Sequence, residues 1–218
     1  LPAGKYVTGS LFLHDNTTIF LDAGAIILGS ENPADYPVIH SRWEGKHQET
    51  YAPLIGGVNL QNIAISGRGT IDGRGAMWWK AKKEQALAHP RPRLISFSDC
   101  NNVLIEGITA INSPSWTINP VHCQNVTIHA ITIINPADSP NTDGINPDSC
   151  QLVRISDCYV SVGDDCITIK SGTEYERPDR YAPCRDITIT NCTLERGHGG
   201  VVIGSEMSGG VKNVAISN

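Results

Sequence analysis

Three short polar motifs, each containing glycine, carry the side chains best suited to chemistry. They occupy residues 141–144 (NTDG), 163–166 (GDDC) and 197–199 (GHG). Together they supply three carboxylates and one imidazole: Asp143, Asp164, Asp165 and His198. Such groups donate and accept protons near neutral pH, which is the chemistry of hydrolytic acid/base catalysis. The motifs predict a hydrolytic site if the fold brings them together.

Short strands flank these motifs in a repeated phrase. The phrase is a turn residue, usually Asn or Asp, followed by two apolar residues with one residue between them. Its first apolar residues are Ile63, Val103, Val126, Val153, Ile187 and Val214, separated by 40, 23, 27, 34 and 27 residues. A rung of two or three short strands every 20–30 residues or so is typical of a parallel β-helix. We therefore predict an all-β parallel β-helix that forms a single domain over residues 1–218. The Asn before each apolar residue is expected to take a left-handed turn.

Composition excludes two classes of partner. The chain has 218 residues, 40% of them hydrophobic and 18% charged, and a net charge of −5. No apolar run is long enough to span a bilayer, and no stripe of basic residues alternates with exposed aromatics. We expect neither a membrane nor a nucleic acid as partner. The sequence does not indicate the oligomeric state.

The cysteines follow the repeat. Six of the seven lie at fixed offsets from the strands: Cys100, Cys123, Cys150, Cys158, Cys184 and Cys192. Because the count is odd and stacked side chains point in parallel, we interpret them as reduced, small core residues. The sequence has no CxxC pair, so a structural zinc site is not expected. Unpaired cysteines favour a reducing cytosol over secretion.

Aligning the rungs on their second strand brings the acidic motifs together. The alignment matches residues 118–120, 145–147, 167–169 and 201–203. It places Asp143 and Asp165 in one column on adjacent rungs, about 4.8 Å apart, with Asp164 and His198 in the next column. Carboxylates this close should raise the pKa of at least one of them. Two alternatives remain: solvent-exposed strand ends, and a calcium site made of clustered carboxylates.

Together with residues 113–116 (SPSW) and 169–172 (IKSG), the three motifs resemble the polygalacturonase family, glycoside hydrolase family 28. The resemblance covers nearly the whole chain. It implies a right-handed parallel β-helix of the pectin-lyase-like type. It also implies hydrolysis, with inversion, of α-1,4 bonds between galacturonic acid units in pectin. The expected partner is an acidic polysaccharide or oligosaccharide, and no metal or other cofactor is expected.

The resemblance also assigns roles by position. Asp164 corresponds to the general acid, and Asp143 and Asp165 correspond to the pair that holds and deprotonates the attacking water. His198 corresponds to the residue that tunes the acid and contacts substrate. The expected substrate-binding residues are Asn141 and Lys170.

The chain departs from the family pattern in two places. Asn146 stands where many members have Asp, and the family's later Arg-Ile-Lys motif is absent. We therefore expect a piece of a longer enzyme, incomplete at both ends and impaired by itself. The loops after Gly29 and Gly172 are expected to close one end of the groove, which would favour cleavage from chain ends. The loop at 41–44 and a short helix over 76–88 are expected to form the sides of this groove.

Three competing functions remain open. The first is hydrolysis of rhamnogalacturonan or decorated galacturonan. The second is a calcium-dependent pectate lyase, although no Arg or Lys joins the acidic column. The third is a non-catalytic sugar-binding β-helix, which would not explain the acid/base residues.

Overall fold

The computed structural model describes residues 1–175 and 180–218. Three parallel sheets run along the molecule, and every turn of the chain but one contributes one strand to each sheet. This is the parallel β-helix predicted from the repeat. Basic residues cluster in the sequence at 74–93 and at 177–185, and the second cluster begins outside the described residues.

The first two sheets are long and regular. Sheet A comprises β1 (Gly4–Thr8), β4 (Ala25–Gly29), β9 (Thr70–Asp72), β12 (Thr109–Ile111), β15 (Thr132–Ile134), β17 (Tyr159–Ser161) and β20 (Thr193–Arg196). Sheet C comprises β3 (Thr18–Leu21), β8 (Gln61–Gly67), β11 (Asn101–Glu106), β14 (Gln124–His129), β16 (Gln151–Ser156), β19 (Cys184–Thr190) and β22 (Val211–Ser217).

The third sheet, sheet B, carries the site. Its strands are β2 (Leu11–Phe12), β7 (Ile55–Val58), β10 (Ile95–Ser98), β13 (Ile118–Val121), β18 (Ile167–Ile169) and β21 (Val201–Ile203). Between β13 and β18, residues 145–148 join the sheet only through isolated bridges. The remaining elements leave the rungs: η1 (Pro33–Asp35), the antiparallel hairpin β5 (Val38–Trp43) and β6 (Lys46–Tyr51), and helix α1 (Ala76–Lys83). The helix ends five residues earlier than predicted.

The repeat seen in the sequence sets the register of sheet C. Val103 pairs with Ile63 on one side and with Val126 on the other, and the pairing continues through Val153 and Ile187. These side chains are buried and stack along the axis of the solenoid. Because each strand alternates inward and outward side chains, the apolar positions of successive rungs build one continuous core.

The turn before each core residue has the predicted left-handed backbone. Its residue has φ between 54° and 59° in all six copies. Asparagine tolerates this conformation and also bonds along the stack: Asn62 donates to Asn16, Asn102 to Asn62 and Asn125 to Asn102. Leu152 occupies the same position with φ 56° and interrupts this asparagine ladder.

The cysteines lie where the repeat placed them. All seven are free, and six are buried. Most are core residues whose Sγ atoms lie near backbone carbonyls of their own or a neighbouring rung, as for Cys123 with Phe97 and Cys150 with Pro120. Burial raises the pKa of the Cys184 thiol to about 12. They therefore pack as small apolar residues, as predicted. No described helix has the length and apolar character needed to cross a membrane.

Candidate active site

The acidic motifs lie close together because successive rungs stack in the register that the sequence alignment predicted. Ile118 bridges to Ile145, Ile145 to Ile167, and Ile167 pairs with Val201. The turns that precede these strands are stacked by backbone hydrogen bonds. The amide of Gly144 donates to the carbonyl of Asp165 (2.9 Å), and the amide of His198 donates to that of Asp164 (2.9 Å). Residues 21 and 34 positions apart thus become neighbours.

The three carboxylates form one cluster in a cleft of about 420 Å³. One oxygen from each of Asp143, Asp164 and Asp165 lies within 4.8 Å of the other two. The Nδ1 atom of His198 lies 3.3 Å from Oδ1 of Asp164. The structure therefore brings together all four residues predicted to be catalytic.

Asp143 lies at the floor of the cleft. It is 4% exposed, and its Oδ2 accepts hydrogen bonds from Asn146 Nδ2 (2.8 Å) and Thr168 Oγ1 (3.3 Å). Burial, followed by the negative charge of Asp164, raises the pKa of Asp143 to about 6. The same two causes raise the pKa of Asp165. The pKa is thus raised for two of the three carboxylates, but burial is a larger cause than the crowding that the sequence predicted, and Asp143 can hold a proton below a pH of about 6.

The same oxygens could also contact a cation. Three carboxylate oxygens this close suit a hard ion such as calcium, which takes six to eight oxygen ligands in total. Three protein ligands would leave the remaining positions to water or substrate. The calcium alternative therefore has a geometric basis and requires a direct test.

Lys170 lies at the cleft, as predicted, but it is not a solitary charge. It is 5% exposed, and its Nζ donates to Glu206 Oε2 (2.6 Å) and to the carbonyl of Gly204 (3.1 Å). The ammonium also lies 5.1 Å from the ring centroid of Trp116. Sequence reasoning missed Glu206. The rung alignment pairs Ile169 with Ile203 and so places Gly204, two residues before Glu206, beside Lys170.

Asn141 also lines the cleft, and Arg91 fixes its orientation. Arg91 Nη2 donates to Asn141 Oδ1 (2.7 Å), while Nη1 donates to the carbonyls of Pro114 and Pro140 (both 2.8 Å). Arg91 is 2% exposed. Because its carbonyl oxygen is engaged, Asn141 can present its NH₂ group to a ligand. Arg91 was not predicted as a site residue, because it follows helix α1 and lies outside the repeated phrases.

Two further lining residues come from the excursions. Glu44 belongs to the turn of the β5–β6 hairpin, and Thr173 follows β18. The sequence anticipated walls in these two loops. The part of the second loop formed by residues 176–179 lies outside the described residues.

Comparison with known proteins identifies the family. The profile of glycosyl hydrolases family 28 matches residues 15–218. A probable polygalacturonase of Vitis vinifera is 41% identical over 98% of this chain and 45% of its own length. Among solved structures, an exopolygalacturonase of Thermotoga maritima superposes with a TM-score of 0.86, at 34% identity over 100% of this chain and 57% of that one. A family 28 exopolygalacturonase of Yersinia enterocolitica gives 0.87, at 25% identity over 99% and 47%.

The chain spans about half the length of the curated relative it matches. The profile match covers most of the chain, and the relatives share its architecture over nearly every residue. This chain therefore belongs to family 28 of the glycosyl hydrolases.

Proposed function

We propose that this chain carries the active site of a hydrolase that cleaves α-1,4-galacturonosidic bonds in polygalacturonate or oligogalacturonides. The observation that carries the proposal is the convergence of Asp143, Asp164 and Asp165 in one cleft, with His198 beside Asp164. Family membership supports it, as do relatives described as polygalacturonases.

The chemical step assigns one role to each group. The glycosidic bond between the anomeric carbon and the leaving oxygen breaks as protonated Asp164 gives its proton to that oxygen. Water attacks the anomeric carbon, and its proton passes to the pair of Asp143 and Asp165. His198 lies 3.3 Å from the acid and interacts with its carboxyl group. The raised pKa values of Asp143 and Asp165 support a cluster that shares a proton under working conditions.

Inversion at the anomeric carbon rests on family membership. Carboxyl groups of inverting glycosidases usually lie about 6.5–9.5 Å apart, and those of retaining enzymes about 5–5.5 Å. In this cleft the nearest oxygens approach within 4.8 Å, which by itself is closer to the retaining spacing. Proton NMR of the first product formed distinguishes the two outcomes, because inversion yields the β-anomer from an α-linkage.

The proposed substrate is an acidic pectic chain. Within the described part of the chain, the cleft is lined by five carboxylates and a single basic residue, Lys170, which is paired with Glu206. Protonation of Asp143 below a pH of about 6 removes one of these negative charges and so favours binding of a polyanion, whereas its role as a base requires the ionised form. Lys170 supplies the positive charge and Asn141 a neutral donor.

Cleavage of polygalacturonate by the protein that contains these residues tests the proposal. We expect release of reducing ends, which Asp164→Asn should lower by at least 100-fold. The exposed Asp138→Asn serves as the control for loss of one carboxylate. Undiminished activity in Asp164→Asn would refute the assignment of the acid.

The same assay separates the competing functions. Chelator-sensitive release of unsaturated products would indicate a lyase that uses the acidic cluster to hold calcium. Preferential cleavage of rhamnogalacturonan or decorated galacturonan over polygalacturonate would indicate a different pectic substrate for a hydrolase of the same family. Binding without any cleavage would support a sugar-binding protein.

We also propose a reducing compartment, the cytosol, as the location, where imported oligosaccharides would be the substrate. The support is limited to the seven free cysteines. Fractionation of the source cells, followed by detection of the native protein, tests this. Recovery from the extracellular fraction would refute it.

A further inference from the structure

Lys170 and Glu206 form a buried ion pair at the cleft. Their side chains are 7% and 9% exposed, and Nζ of Lys170 lies 2.6 Å from Oε2 of Glu206. Both residues line the same cleft as the catalytic carboxylates. The catalytic scheme proposed above uses the charge of Lys170 but gives Glu206 no role. Replacing both partners of a buried ion pair by apolar residues is often neutral, so stability by itself is a weak explanation for this pair.

The stacked rungs fix the backbone of both residues. Lys170 directly follows β18, and its amide donates to the carbonyl of Pro147 (2.9 Å). Glu206 follows β21, and its carbonyl accepts from the amide of Ser171 (2.8 Å). Because β18 and β21 pair in parallel, the carboxylate of one rung is held beside the ammonium of the rung before it.

Three groups hold the ammonium of Lys170 in place. It donates hydrogen bonds to Glu206 Oε2 (2.6 Å) and to the carbonyl of Gly204 (3.1 Å). It also lies 5.1 Å from the ring centroid of Trp116, within the range of a cation–π interaction. That ring is itself fixed, because it stacks on the ring of Trp43 with centroids 4.9 Å apart. The tip of this lysine therefore has a defined position, unlike the flexible tip of an exposed lysine.

One donor of the ammonium remains for a ligand. An ammonium has three N–H bonds, and Glu206 and Gly204 use two of those on Lys170. Within the described part of the chain, Lys170 has no third hydrogen-bond acceptor. Because Lys170 lines the cleft, the remaining N–H bond is available to an acceptor that binds there. Such a ligand does not have to immobilise a flexible side chain, since folding has already ordered it.

Glu206 is poorly suited to bind an acidic substrate itself. The residue is 8% exposed. An ionised carboxylate repels the acid group of galacturonate and has no proton to donate to it. The contribution of Glu206 to substrate binding therefore passes through Lys170.

We propose that Glu206 is a positioning residue, which holds the ammonium of Lys170 so that its remaining N–H bond meets the acid group of a bound sugar. The inference rests on the proposed hydrolase function and adds a residue to its recognition of an acidic substrate. The reach of the side chain at position 206, more than its charge, carries the effect.

Two substitutions separate reach from charge. Glu206→Asp keeps the charge but is one methylene group shorter, so its carboxylate no longer meets the ammonium in its present position. It should raise KM for a galacturonic acid trimer about tenfold with little change in kcat, because the hydrogen bond that orients Lys170 is lost. Glu206→Gln keeps the reach and an acceptor oxygen, so its KM should be no higher than that of the wild type.

Glu84→Asp is the matched control, because Glu84 pairs with Lys80 on the exposed surface of helix α1. It should change neither kinetic constant. An unchanged KM in Glu206→Asp would overturn the inference. An equal rise of KM in Glu206→Asp and Glu206→Gln would also overturn it, because charge would then be the cause.

Removal of the ammonium gives a second kinetic readout. Lys170→Met and the double variant Lys170→Met with Glu206→Asp carry the same charge, and they should have the same KM, because neither has an ammonium to position. A higher KM in the double variant would show that Glu206 acts on the substrate without Lys170, which would overturn the inference.

Nuclear magnetic resonance tests the positioning without turnover, and also if Lys170→Met fails to fold. The ammonium of Lys170 should give a ¹H–¹⁵N signal with a high order parameter, identified by its loss in Lys170→Arg. Glu206→Asp should lower this order parameter, and Glu206→Gln should not. An order parameter in the wild type as low as that of the exposed lysines would overturn the inference.

The two failures can be told apart. If the wild type cleaves no galacturonan, the proposed function is wrong, and the resonance measurement still decides whether Glu206 holds Lys170. Cleavage with equal KM values for the wild type and Glu206→Asp leaves the hydrolase function intact and overturns the inference.

Discussion

The buried carboxylate of Asp143 should make the protein less stable as pH rises. Its pKa is raised from 3.8 to about 6, first by burial and then by the charge of Asp164. The folded protein therefore binds this proton more tightly than the unfolded chain does. Between these two values the wild type loses stability with increasing pH. At about 1.4 kcal/mol per pH unit, the loss amounts to about 3 kcal/mol.

Asp143→Asn isolates this effect. The amide has the same shape, and its oxygen can still accept from Asn146 and Thr168. We expect the variant to gain about 3 kcal/mol relative to wild type on going from pH 4 to pH 7 or above, while losing catalytic activity.

Equilibrium urea denaturation at pH values from 4 to 8 measures the difference. The quantity to follow is the free energy of unfolding of the variant minus that of the wild type. It should rise between pH 4 and 6 and then level off. The exposed Asp138→Asn should give a flat difference over the same range. A flat difference for Asp143→Asn would show that burial and the nearby charge do not hold a proton on Asp143.

Three further predictions follow from contacts around the site and in the solenoid. Arg91→Ala should raise KM for oligogalacturonides about tenfold with a smaller effect on kcat, because Asn141 loses the donor that orients it; an unchanged KM would contradict this role. Leu152→Asn should raise the free energy of unfolding in urea by about 1 kcal/mol, because asparagine suits φ 56° and can join the asparagine ladder. A lower free energy of unfolding would argue against the ladder. Glu206→Gln should destabilise it by about 3 kcal/mol by leaving Lys170 buried without its ion pair, and a neutral result would show that water replaces the carboxylate.

The rungs and the cluster of carboxylates could both be predicted from the amino-acid sequence. The turn residue and the alternating apolar residues recur at the same offsets. In a solenoid, residues that are aligned on successive rungs lie one strand spacing apart. The pairings of Val103 with Ile63 and Val126, and of Ile145 with Ile118 and Ile167, follow directly. The cluster of aspartates could be placed for the same reason.

The residues that surround the cluster could be identified only in the folded chain. Arg42 reaches Asp148 across 106 residues of sequence, and Arg91 reaches Asn141 across 50. These contacts join excursions to rungs, and an excursion has no repeat from which its position can be deduced. The raised pKa of Asp143 likewise depends on the burial of its carboxylate and on the nearby charge of Asp164. Burial is a property of the folded molecule and cannot be read from the sequence.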